Sequence, residues 1–303
     1  MREDTEQIYR KRILAVLDYI KENLDGDLNL DEIAGVAFFS PFHFHRVFCG
    51  MVGETLASLI RRLRLERAAF RLLNGVEPIM LIAIRAGYDS NQSFTRAFKT
   101  AFGETPSDFK KYRKSIPLIH APSGYHFMPE NGIQSFNPIR RGNVTMEGRI
   151  VELEQMRILS VKNKGAYYKI GEAFEKLSDI VTKNNIDIKN SQWLGIFWDD
   201  PESVLEKELR SEACVTIEGD IEIPDGVEAE AGEIPGGQYA TTRHTGSYKG
   251  IGKAWGELCG IWVPQNGYKP RESACFEIYV KGSECTNDES EYITDLYEPI
   301  EPV

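Results

Sequence analysis

The feature that most constrains this chain is that it repeats itself twice, with a different period in each half. Near the start, Ile33 and Ala34 recur 49 positions later as Ile82 and Ala83. Phe44, Arg46 and Phe48 recur 50 later as Phe94, Arg96 and Phe98, and Gly53-Glu54-Thr55 recurs 50 later as Gly103-Glu104-Thr105. The slip from 49 to 50 is one extra residue in a turn. Further on, Gly165, Tyr167, Ile170, Gly171, Ala173 and Phe174 recur 81 later as Gly246, Tyr248, Ile251, Gly252, Ala254 and Trp255. Two unrelated duplications imply two domains, each pseudo-symmetric, and 303 residues suffice for two cores.

Charge divides the chain in the same way. Residues 1–115 hold 18 Lys and Arg against 15 Asp and Glu, a net of +3, whereas residues 116–303 hold 18 against 31, a net of −13. A mildly basic front and a strongly acidic back suit different partners. No apolar run approaches the roughly 18 residues of a membrane span, so no membrane partner is expected. The start Met1-Arg2-Glu3-Asp4 runs straight into charged, helix-like sequence, and the five scattered cysteines form no C-x-x-C pair. Both features predict a cytoplasmic protein without a disulfide framework, a metal site or a cofactor.

The front reads as helices. Ile8, Ile13, Val16, Leu17, Ile20 and Leu24 share one helical face, and Leu56, Leu59, Ile60, Leu63, Ala68 and Leu72 mark a longer helix that ends near Asn74-Gly75. Each front repeat has a short apolar helix, a tight turn, and a second helix bearing one Arg framed by two Phe. That is the grammar of a helix-turn-helix unit, whose second helix enters the DNA major groove. On this reading Phe44, Phe48, Phe94 and Phe98 pack inward. Phe42, His45 and Arg46 are exposed in the first unit, and Asn91, Gln92, Thr95 and Arg96 in the second. Arg suits guanine, Asn or Gln suits adenine, and an aromatic ring or a Thr methyl suits the thymine methyl. The helix from Thr55 to Leu73 would be about 28 Å long, close to the roughly 34 Å between successive major-groove faces. Taken alone, Arg46 and Arg96 could be surface ion-pair residues, and His43 and His45 could be packed. The repetition is what favours the DNA reading.

The segment Ala86-Gly87-Tyr88-Asp89-Ser90-Asn91-Gln92-Ser93-Phe94-Thr95-Arg96-Ala97-Phe98-Lys99, followed by Phe102-Gly103-Glu104-Thr105-Pro106, resembles the signature of the AraC/XylS transcription regulators. The resemblance covers roughly residues 8–114. It implies an all-α domain of tandem helix-turn-helix units joined by the long helix. It also implies that Phe42, His45, Arg46, Gln92, Thr95 and Arg96 face DNA, with phosphate contacts from Arg61, Arg62, Lys99, Lys110 and Lys111. The expected organisation is a DNA-binding domain over 1–115, a Pro- and Gly-rich linker over 116–147 and a second domain over 148–303.

The second domain alternates short β-branched and aromatic runs with helical segments, an α+β pattern. Laying its repeats over each other at a spacing of 81 places Ile196 on Glu277 and Trp198 on Tyr279. Strand alternation then puts Glu277 and Tyr279 on one face, and Ile196 and Trp198 on the equivalent face of the other repeat. An acid has replaced Ile at a core-facing position, and it must be paired, protonated or waiting for a partner. With Trp198, Trp255, Phe174, Tyr167, Tyr248 and Tyr297, it would form an aromatic-lined pocket with one carboxylate, suited to organic cations. The plainer alternative is that Glu277 pairs with an Arg such as Arg243 and that the aromatics are core.

Ile234-Pro235-Gly236-Gly237-Gln238-Tyr239-Ala240, then His244, Gly246 and Tyr248, and finally Cys275-Phe276-Glu277-Ile278-Tyr279 resemble the GyrI-like small-molecule-binding domain; Asp199-Asp200-Pro201-Glu202 also fits. This covers about residues 148–303. It implies duplicated β-α-β-β halves with a pocket between them, and a ligand contact at Glu277. AraC-type readers fused to such domains, in the Rob-type arrangement, imply a transcription regulator, an activator, that binds double-stranded DNA under control of a small amphipathic or cationic effector, with RNA polymerase as a further candidate partner. Two other classes remain open. One is a hydrolase of reactive electrophiles, with Glu277 as general base and Tyr279 or Tyr297 assisting. The other is a protein-binding module that uses the acidic surface.

Overall fold

A computed structural model describes residues 2–113, 115–129, 136–138, 146–199, 204–219, 223 and 226–303. The chain forms two compact units that interleave along the sequence, where consecutive segments are expected. One comprises Met1–Tyr9, Ser40–Gly50 and Gly142–Val303, the other Arg10–Phe39 and Met51–Arg141. Asp200, Pro201 and Glu202 of the GyrI-like pattern lie outside the described residues. No described helix is long and apolar enough to cross a membrane.

The front helices are α1 (Arg2–Glu22), α2 (Leu30–Val36), α3 (Pro41–Val52), α4 (Leu56–Asn74), α5 (Ile79–Arg85), α6 (Asn91–Phe102) and α7 (Pro106–Tyr112). The repeated Gly-Glu-Thr triplets have a local cause. Gly53 and Gly103 adopt φ of 78° and 81°, a left-handed turn that closes a helix. Two residues on, Thr55 and Thr105 cap α4 and α7 by accepting from the amides of Ser58 and Asp108. The intervening acids repeat their role as well: Glu54 pairs with Arg62 and Glu104 with Arg113.

In the second unit, α5 and α6 are joined through Gly87 at φ 82°, and the Tyr88 amide bonds back to the Ala83 carbonyl. Ser90 caps α6. Phe94, Phe98, Phe102 and Phe109 then pack through tilted and edge-on contacts with ring centroids 4.5 to 5.5 Å apart. Leu65, Ala69 and Leu72 of α4 complete that core. The stretch expected as a linker is partly strapped down. Tyr125 is buried and donates to the Leu17 carbonyl, its own carbonyl accepts from Arg62, and Glu66 accepts from the Phe127 amide and pairs with His126.

The first unit is built on an antiparallel sheet. Its strands are β1 (Arg149–Leu153), β2 (Met156–Lys164), β3 (Trp193–Phe197), β4 (Arg210–Thr216), β5 (Glu230–Ile234), β6 (Gly237–Thr245), β7 (Tyr268–Pro270), β8 (Phe276–Lys281) and β9 (Ile293–Pro302). The order is β1-β6-β9-β8-β3-β4-β2-β5, with the short β7 on β9. Helix α8 (Ile170–Lys183) follows β2. Helix α9 (Ile251–Glu257) follows β6 and runs through a widened turn, Leu258–Trp262, into α10 (Val263–Gln265). The halves β2-α8-β3-β4 and β6-α9-β8-β9 meet at the β3–β8 pair. Each half lends its leading strand to the other: β1 precedes the first half but pairs with β6, and β5 precedes the second but pairs with β2. Gly165 and Gly246, at φ 126° and 120°, turn the chain from β2 and β6 towards the helices.

Truncating the central ring of the aromatic chain, Phe98→Ala, is expected to destabilise the second unit by about 3–5 kcal/mol. Urea unfolding followed by far-ultraviolet circular dichroism measures it; a change below 1 kcal/mol would contradict this core assignment.

Candidate functional site

The register between β3 and β8 corrects the sequence overlay. Gly195 pairs with Glu277 and Ile196 with Phe276, and directly paired residues share a face. The structural equivalent of Glu277 is therefore Gly195, 82 positions earlier, and that of Tyr279 is Phe197. One residue added between helix and strand in the second repeat shifts the equivalence and reverses the faces. Ile196 instead belongs to the opposite layer with Leu194, Cys214, Phe276, Ile278 and Tyr297. Trp198 lies on that opposite face too, donating to Glu212 at 3.0 Å, and Tyr297 stacks on Phe276 there at 4.8 Å and 7°. Ile196, Trp198 and Tyr297 are thus not beside Glu277.

On the helix-covered face a cluster does assemble. Trp255 Nε1 donates to Glu277 Oε1 at 2.7 Å, and Tyr279 OH donates to Oε2 at 3.2 Å. Phe174 and Tyr248 stand edge-on to Tyr279 at 5.6 and 5.7 Å. Tyr167 packs at 4.9 Å on Phe197, the counterpart of the Tyr248–Tyr279 pair. Gly195 makes room for this: a Cβ there would lie 2.8 Å from Tyr279 OH and 3.0 Å from the Phe197 ring. Arg243, the plainer partner for Glu277, bonds Asp295 at 2.7 Å instead. Burial pushes the Glu277 carboxyl above its ordinary range, against the pull of the Trp255 bond, the Arg46 charge and the Tyr279 bond. Burial likewise raises the Tyr279 phenol well above its usual value.

A second acid, Glu298, is fully buried on β9. The sequence reading missed it, although it stands between Leu296 and Ile300 on one buried face of its strand. Around it lie His43 and Arg46 of α3. His43 Nε2 is 3.3 Å and Arg46 Nη1 3.6 Å from its carboxylate. The Arg46 guanidinium sits 3.7 Å from the centre of the Trp255 ring and bonds the Cys275 sulfur.

The expected DNA-facing residues divide sharply. Asn91, Gln92 and Arg96 on α6 are exposed and Thr95 half-exposed, while Phe94 and Phe98 are buried behind them. On α3, Phe44 and Phe48 are likewise buried, His45 is half-buried with the Cys49 sulfur 3.5 Å from its ring, and the Phe42 side chain lies outside the described residues. Arg46, expected to be exposed, retains only 11% of its side-chain surface. Arg62, expected at phosphate, is buried between Glu54 and Glu66; Arg61 and Lys99 are exposed. Among the described residues no cluster of three His, Cys, Asp or Glu side chains is placed to hold a metal ion.

His43 and Glu298 titrate in opposition. Burial, helped by the Arg46 charge, lowers His43 to about 3, so the proton it gains on unfolding makes stability rise with pH from about 3 to its ordinary value near 6.5. Burial raises Glu298 to about 7, against the Arg46 charge; the proton it loses on unfolding makes stability fall as pH rises from about 4.3 through 7. Relative to wild type between pH 4.5 and 6.5, Glu298→Gln is expected to make stability climb more steeply with pH, and His43→Gln to make it fall. Thermal unfolding across that range tests both signs, and parallel curves for all three proteins would refute the pairing.

Residues 146–301 match the family described as the GyrI-like small molecule binding domain, and residues 33–112 match a helix-turn-helix domain family. A DNA gyrase inhibitor of Yersinia enterocolitica is 32% identical over 161 residues, covering 52% of this chain and 98% of that protein. The transposon Tn10 TetD protein of Escherichia coli is 42% identical over 108 residues, covering 36% of this chain and 78% of TetD. The transcriptional regulator Rob of Salmonella typhimurium is 34% identical over 147 residues, 48% of this chain and 46% of Rob, so the chain spans just under half of that regulator's length. The chain belongs to the GyrI-like family through its second half and carries an AraC-type helix-turn-helix domain ahead of it, in a Rob-type arrangement.

Proposed function

We propose that this AraC-type, DNA-binding regulator of transcription is controlled by a small organic cation captured on the helix-covered face of its sheet. The observation that carries the reading is Glu277: a carboxylate buried between Trp255 and Tyr279, with Phe174 and Tyr248 as further rings around it. An aromatic enclosure with one acid attracts organic cations by charge and by the ring quadrupoles. The DNA-reading surface is α6, where Asn91, Gln92 and Arg96 project from a helix backed by phenylalanines. Arg46 and His45 would form the matching set on α3.

Selection from a random duplex pool at fixed salt, with and without tetraphenylphosphonium, tests both parts. Arg96→Ala is expected to relax one base position and to cost about 1–3 kcal/mol. Glu277→Gln is expected to abolish the response to the cation and to leave the enriched sequence unchanged. No enriched sequence would overturn the DNA reading; an enriched sequence whose binding ignores organic cations in wild type would overturn the effector reading.

A further inference from the structure

Arg46 and Arg96 occupy equivalent positions in the front duplication, 50 residues apart, yet only Arg96 is exposed. What covers Arg46 is the chemistry that suits an organic cation. Its guanidinium lies 3.7 Å from the centre of the Trp255 ring, 3.6 Å from Glu298 and against the Cys275 sulfur. The same indole donates its Nε1 proton to Glu277 at 2.7 Å, so one side chain serves both the carboxylate and the arginine. A planar cation on an aromatic face beside two acids is what a bound ligand would look like.

The backbone is shaped to let α3 approach this closely. His43, Arg46 and Gly50 fall on one stripe of the helix, at steps of three and four. Gly50 rests on Gly256 of α9 and on Gly260 of the widened turn that follows it, and a Cβ at Gly50 would run into the Gly256 carbonyl and the Gly260 Cα. Glycine inside a helix costs helical stability, so three at one seam point to a contact that needs them.

We propose that Arg46 is the resident cation of the Trp255–Glu277–Glu298 site, and that a soluble organic cation competes with it, releasing the DNA-reading helix α3. This rests on the proposed cation site and names how it is regulated. The ligand need not reach DNA or distort the sheet. It need only bind the face from which α3 has withdrawn, and its apparent affinity is reduced by the fraction of molecules in which α3 is seated.

The test is calorimetric titration of the full chain with tetraphenylphosphonium. Arg46→Ala removes the competitor. Gly50→Ala wedges α3 off the seam with Arg46 and every site residue intact, and alanine favours the helix. Both variants are expected to bind the cation about tenfold or more tightly than wild type, because the seat is open in a larger fraction of molecules. Adding Glu277→Gln to either is expected to abolish binding. Gly50→Ala is also expected to bind the selected duplex without cation as tightly as wild type does with it. Glu277-dependent binding at wild-type affinity in both variants would overturn the competition and leave the cation site standing. Absence of binding in all proteins, or binding indifferent to Glu277, would overturn the site and the competition together.

Discussion

Burying Glu277 and Glu298 on one face of one sheet would cost on the order of several kcal/mol for each bare carboxylate, and the neighbouring residues are arranged around that cost. Trp255 and Tyr279 donate to the first. His43 and Arg46 approach the second. Trp255 is the shared member, with its ring edge on one acid and its face on the guanidinium. Removing any of these groups leaves a charge with less compensation, so the site is a single electrostatic unit rather than a collection of contacts.

The two halves of the sheet have diverged around this unit in a consistent way. One half offers Gly195, Phe197 and Phe174 where the other offers Glu277, Tyr279 and Trp255. The first set is apolar and leaves space; the second is polar and fills it. Duplication thus supplied a symmetric frame, and a few substitutions placed all the charge at one end. A ligand held there would touch the polar half through hydrogen bonds and the apolar half through ring faces alone.

The duplications were legible because they are written in residues with local jobs: the αL glycines, the capping threonines and the inward phenylalanines act within a turn or two of themselves. Glu277, Tyr279, Trp255, Phe174 and Tyr248 were also legible as a group, since an acid in an apolar strand stands out. The faces of Ile196 and Trp198 were not. A one-residue drift between repeats is invisible in an overlay at fixed spacing, yet it reverses every side chain on a strand. The burial of Arg46 was equally hidden. Its local sequence matches that of Arg96, and the difference arises from Trp255 and Glu298, more than 200 positions away.

The exchange of leading strands carries a consequence for the origin of this architecture. Because β1 completes the second half and β5 the first, neither repeat is a closed piece of sheet by itself. A single ancestral repeat could have built the same continuous surface only as two chains, each lending its first strand to the other. Joining such chains end to end would turn a partnership between molecules into a fixed one within a molecule. Within one chain the two halves of the sheet are free to differ, whereas in a symmetric pair any acid gained in one half appears in the other.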